Sequence, residues 1–118
     1  MLVIRNKTRD LLLAYRAGIA NSSGLRRRGL LQHGRLNPGD GLWLVPCEAV
    51  HTFGMKFPID VLYLNREKKV LKIYPCMPKR RISVHLSAYS VLELPAGMAA
   101  ATGTSVGDEL MMERVDPA

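Results

Sequence analysis

Aromatic side chains are scarce, with 2 Phe, 1 Trp and 4 Tyr in 118 residues, so any interior must rest on Leu, Val, Ile and Met rather than on stacked rings. Cysteine is scarcer still. Cys47 and Cys76 are too few for a disulfide framework in a chain of this length, and they form no Cys-x-x-Cys pair that would suggest zinc or dithiol redox chemistry. Two free thiols are the default reading. Long apolar runs are missing too: stretches such as residues 11–14 and 41–45 fall far short of the roughly 20 residues that cross a bilayer. No segment joins a basic start, an apolar middle and a small-residue cleavage site, so the expectation is a cytoplasmic chain without a membrane span. Walker and dinucleotide-binding glycine patterns are absent, as are internal repeats, low-complexity tracts and interdomain linkers.

Acidic residues are outnumbered, 10 Asp and Glu against 17 Lys and Arg, for a formal net charge of +7. The excess is clustered in Arg26-Arg27-Arg28 and in Lys79-Arg80-Arg81, and such clusters gain from counterion release at phosphate backbones. No recognition helix, zinc finger or aromatic ribonucleoprotein motif accompanies them. A solvated basic surface is therefore preferred to nucleic-acid binding. With 47% apolar and 23% charged residues the composition is that of an ordinary globular protein. The length suits one domain over residues 1–118, because two separate cores would each be marginal.

Residues 1–5 read as a strand and residues 10–15 as its hairpin partner across a turn at 6–9. Ser22-Ser23-Gly24 has the form of a helix cap, and residues 23–32 place Leu25, Leu30 and Leu31 on one side with the arginines largely on the other. Residues 36–41 combine Pro, Gly, Asn and Asp into a loop. Residues 41–45 then read as a buried strand stopped by Pro46. The clearest hairpin joins residues 61–64 to 70–74 through a polar turn at 65–69. After a basic, exposed connection at 75–81 come a strand at 90–94 and a short helix at 98–102 stopped by Gly103. A turn at 106–108 leads into a last strand at 109–115. The predicted class is α+β and strand-rich: a small antiparallel sheet or barrel-like domain with one or two short helices.

The segment from Cys47 to Pro58 has neither helical nor strand period, and mixed segments of this kind often host function. His51, Met55, Lys56 and Asp60 are predicted to wall a polar pocket, Lys56 and Asp60 gripping opposite ends of a small polar ligand. Glu93 is expected to join them through the fold, with Asp108 as a further candidate. The competing reading has Asp60 capping a turn, Lys56 exposed, Met55 in the core and His51 satisfied by backbone groups. Cys47, His51 and Met55 fall four residues apart, which on a helix would align soft ligands for Cu(I). Pro46, Gly54 and Pro58 oppose such a helix, and buried Cys and Met are common core fillers, so no metal is expected. Cys47, His51 and Asp60 are also the local set for a thiol nucleophile, its base and an orienting group, without resembling a cysteine-hydrolase motif. His85, between Val84 and Leu86, reads as a surface or strand histidine.

The stretch from Cys47 to Leu64, CEAVHTFGMKFPIDVLYL, resembles the signature of the prokaryotic family catalogued as domain of unknown function 192. Arg28-Gly29-Leu30-Leu31 is similar to that family's leading helix motif, Leu92-Glu93-Leu94-Pro95-Ala96-Gly97 to its later strand and turn, and Gly107-Asp108 to its closing turn. These motifs cover residues 24–112 in the family's order; the chain departs from the pattern at His33, Gly54 and Phe57. The resemblance implies a compact strand-rich domain and no established reaction. The reading is a small non-catalytic binding or accessory domain for a small polar ligand or a protein partner, without a cofactor. The alternatives are a cysteine- and histidine-dependent enzyme and a basic nucleic-acid-binding protein.

Overall fold

Alternation at the start of the chain dictates the first pairing: Leu2, Ile4 and Asn6 are buried while Val3 and Arg5 are half-buried, as a strand with one face on a core requires. The computed structural model describes residues 1–31 and 33–115. Strand β1 (Leu2–Asn6) pairs antiparallel with β2 (Leu11–Ala20). The second strand runs past its expected end at Tyr15 because β3 (Gly39–Leu44) lies along its far half, from Ala14 opposite Gly39 to Ala20 opposite Leu44. Pairing over that length overrides the weak strand propensity of Arg16, Ala17 and Gly18. This pair is parallel, whereas the other strand pairings among the described residues are antiparallel as expected. A parallel pair needs a crossover, and residues 21–38 supply it.

Helix α1 (Ser23–Arg28) sits in that crossover, with the Ser22 hydroxyl accepting the Leu25 N–H at 3.2 Å. It ends four residues short of the expected limit, at Gly29, whose φ of 49° only glycine adopts cheaply. The predicted terminus at Gln32 lies outside the described residues. The sequence Pro38-Gly39-Asp40 read as loop, yet β3 already begins at Gly39, which pairs with Ala14 of β2 under the Tyr15 ring, where a β-carbon would collide.

The remaining elements are β4 (Ala49–His51), β5 (Ile59–Leu64), β6 (Val70–Met77), β7 (Ile82–Val84), β8 (Ser90–Pro95), α2 (Met98–Thr102) and β9 (Leu110–Arg114). Seven strands form one sheet in the order β6-β5-β8-β3-β2-β1-β9, while β4 and β7 pair separately. The large sheet curls into a half-barrel. Its two outer strands approach at one corner, where Lys69 bridges Glu109 and the Val70 N–H donates to the Asp108 carbonyl at 2.8 Å. Strand β6 extends to Met77, buried opposite Ile59, so the first part of the predicted basic connection is strand. Strand β7 carries no sequence signal of its own and exists through pairing with β4.

All six residues of β5 and all six of β8 are buried, since these strands are covered on both faces. On one face Leu62, Leu64, Leu92 and Leu94 pack with Leu2, Ile4 and Leu13. On the other, Ile59, Val61, Tyr63 and Val91 meet Leu30, Leu44, Val50 and Met55. A fully buried Leu or Ile contributes about 2 kcal/mol, so the second cluster holds the α1 crossover and the β4 segment against the sheet. Among the described residues no helix is long and apolar enough to cross a membrane.

Candidate functional site

A cavity of about 360 Å³ opens between α1, β4 and β8. Its mouth carries Arg26, Arg27 and Arg28, with Glu48 and His51 also bordering it, and its walls include Leu30, Leu44, Val50 and Met55. The local sequence explains the mouth. Gly29 stops α1 directly after the third arginine, and Leu30, buried in the core, pins the helix end over the sheet. Arg27 and Arg28 are exposed, while Arg26 is half-buried and donates a long hydrogen bond of 3.5 Å to the Val45 carbonyl.

Glu93 lies at the base. It sits on β8 opposite Val61 of β5 on one side and Leu42 of β3 on the other. Only 4% of the residue is exposed, and its Oε1 has no hydrogen-bond partner. Burial alone pushes this carboxyl up to about 7, because charge is costly where neither water nor a cation compensates it. The Tyr63 hydroxyl, on the same face of the sheet and turned toward Ser83, is likewise buried with no hydrogen bond of good geometry.

Cys47 borders the same cavity. Its thiol donates to the Ala49 carbonyl at 3.2 Å, and burial first, with the nearby Glu93 charge adding to it, raises its pKa. A thiol so placed is protonated and slow to attack. Cys76 is exposed. Iodoacetamide at pH 8 is therefore expected to label Cys76 about ten-fold faster than Cys47, as read by peptide mass spectrometry. Equal rates would show that Cys47 is activated after all.

Of the residues expected to wall a pocket, His51, Met55 and Glu93 line this cavity, and Lys56 and Asp60 do not. Lys56 is exposed. Asp60 is fully buried on the other side of the sheet: Val61 is paired with Glu93, and successive strand residues point to opposite faces. Its carboxylate accepts the backbone N–H groups of Cys76 at 2.8 Å, Gly97 at 3.1 Å and Ala99 at 2.8 Å. It thereby ties the irregular pairing of β6 to the start of α2, and no Lys56–Asp60 clamp forms. Asp108 is similarly engaged, accepting from Asn6 Nδ2 at 2.9 Å, Arg9 Nε at 2.6 Å and the Ser105 N–H at 3.0 Å. Its burial favours the neutral acid, but these donors outweigh that and leave its pKa lowered. His85 lies tilted against Tyr63, with ring centroids 5.7 Å apart.

The arginines of α1 are the residues that reading the sequence left on an open surface. The one available signal was the glycine directly after Arg28, which stops the helix and fixes where that cationic turn stands. Met55 also borders a second depression, of about 540 Å³, with Gly54, Pro78, Lys79 and Arg80. Both basic clusters thus flank one methionine. Among the described residues no group of three or more His, Cys, Asp or Glu side chains is placed to hold a metal ion.

The sequence is 29% identical over 116 residues to a UPF0127 protein of Pyrococcus abyssi, covering 93% of this chain and 97% of that one. It is 27% identical over 113 residues to a UPF0127 protein of Thermococcus sibiricus, covering 92% and 73%. Among solved structures, a protein of unknown function from Novosphingobium aromaticivorans superposes with a TM-score of 0.80 at 18% identity, covering 93% of this chain and 82% of that one. A Sinorhizobium meliloti protein named as a candidate transcription regulator gives 0.79 at 21% identity, covering 94% and 91%. At such identities these two share the fold with this chain. The profile of the family described as Uncharacterized ACR matches residues 3–112, nearly the whole length: this chain belongs to the domain of unknown function 192 family.

Proposed function

We propose that this protein is a non-catalytic binding domain whose small polar ligand enters the cavity between α1, β4 and β8 and sets an anionic group against the arginines at its mouth. The observation that carries this reading is Glu93. A buried carboxyl with an unsatisfied oxygen costs stability, and its place at the base of an open cavity gives that cost a use: a ligand can supply the missing partner. Arginine suits the mouth because its planar fork binds carboxylate or phosphate through two parallel hydrogen bonds. His51 and Met55 complete the wall, while the protonated Cys47 thiol fits a boundary better than a nucleophile. A cytoplasmic setting belongs to the same proposal, since both thiols are free.

The test is a thermal-shift screen of small carboxylates, phosphates and sugars. A ligand at 100 times its Kd adds about 2.7 kcal/mol to stability. The shift is expected to vanish in Ala49→Trp, which fills the cavity from its exposed rim, and to shrink in Arg27→Glu. Hits indifferent to both substitutions would move the site elsewhere.

A further inference from the structure

The cavity is polarised along its depth. Three guanidinium groups stand at the mouth, apolar side chains line the middle, and a carboxyl without a hydrogen-bond partner on Oε1 closes the base. Among the described residues no cation stands within salt-bridge distance of that carboxyl, and Arg26, the most buried of the three arginines, donates a long hydrogen bond to the Val45 carbonyl instead. A ligand carrying only an anion would satisfy the mouth and leave the base unpaired. A ligand carrying only a cation would meet three positive charges before reaching its partner. The complementary molecule has both groups at opposite ends, with methylene groups between them to lie against Leu30, Leu44, Val50 and Met55. Building on the cavity reading above, we infer that the ligand is a small ω-amino carboxylate, its ammonium group hydrogen-bonded to Glu93 and its carboxylate held by the arginines of α1.

The chemistry of each end supports the choice. An ammonium group gives a buried carboxylate hydrogen bonds with a charge on both partners, and charge-assisted bonds are roughly twice as strong as those between neutral groups. A volume of about 360 Å³ lies at the small end of the range for ligand cavities, which suits a chain of a few methylenes with two polar heads. Binding of the ammonium also requires Glu93 to be ionised. Protons therefore compete with the ligand, and affinity rises with pH until the carboxyl has lost its proton. Among the described residues, Cys47 and Tyr63 are titratable groups whose pKa the Glu93 charge helps to raise, Arg26 lies near Cys47, and the strand neighbours Val61 and Leu42 are apolar. Glu48 and His51 also border the cavity.

Isothermal titration of the intact protein with 4-aminobutanoate, 5-aminopentanoate and 6-aminohexanoate, against pentanoate and pentylamine, tests the inference at pH 6, 7 and 8. At least one ω-amino acid is expected to bind ten-fold or more tightly than both single-headed compounds. Its affinity is expected to rise about five-fold from pH 6 to pH 7, equally in wild type and in His51→Gln, and to become weak and flat in Glu93→Gln. Pentanoate binding as well as 5-aminopentanoate overturns the inference. So does failure of all three amino acids while other anions still give shifts abolished by Ala49→Trp, and in either case the cavity reading survives. Absence of any shift that Ala49→Trp abolishes removes the cavity reading itself.

Discussion

Glu93→Gln is expected to make the protein more stable than wild type by an amount that grows with pH between about 4.5 and 7 and is constant above. The folded-state value is raised, from 4.5 to about 7, so over that window the native state holds a proton that the unfolded chain has lost. Stability of the wild type therefore falls as pH rises through the window. A displacement of this size corresponds to about 3 kcal/mol, or about 10 °C in Tm for a chain of this length. Glutamine has the same shape and no charge, and whatever its amide costs at the unsatisfied Oε1 position is the same at every pH. Urea unfolding of both proteins at pH 4.5, 6, 7 and 8 measures the difference. A gap that stays constant with pH would mean that the carboxyl is solvated or paired and the base of the cavity is not as described.

Asp60→Ala is expected to be the most damaging single change on the opposite face of the sheet. Three backbone N–H groups lose their acceptor at once, that of Ala99 buried and those of Cys76 and Gly97 partly so, and a buried donor left unpaired costs about 1 to 3 kcal/mol. The total, about 4 kcal/mol after local relaxation, is a large share of a small domain's stability. Asp60→Asn separates the contributions. Oδ1 serves Cys76 and Gly97 while Oδ2 serves Ala99, so an amide can keep the first two bonds but must set its NH2 against the third N–H. About half the loss is expected, again by urea unfolding. Equal stability of Asn and Asp at this position would show that the contact to Ala99 is dispensable.

These two carboxylates show where sequence reasoning reached and where it stopped. Both were singled out from their motifs, but Asp60 was assigned to the pocket by its closeness to His51 and Lys56 along the chain, and Glu93 was expected to join it through the fold. A strand buried on both faces has no polar alternation to reveal its orientation, and Ile59–Leu64 is apolar except at Asp60 and at the Tyr63 hydroxyl. The face of Asp60 was decided by the register of β5 against β8, which no local pattern encodes. Elements defined by their own turns were legible: the β5–β6 hairpin, β8 and α2, each bounded by Asn, Pro or Gly. Elements defined by a distant partner were not. The length of β2 depends on β3, β7 depends on β4, and the cavity mouth depends on where Gly29 ends a helix. The strand-rich class and the family, resting on periodicity and on motif order, were both readable without coordinates.

The pairing of β1 with β9, Leu2 opposite Arg114 through Asn6 opposite Leu110, joins the first strand of the fold to its last. Until the ribosome has released the last strand, the edge of β1 stays open and Asn6 has no Asp108 to bind. Such distant closure slows folding and prolongs exposure of bare edges to other nascent copies. Removal of β9 would therefore do its harm as aggregation during expression, before any ligand could matter.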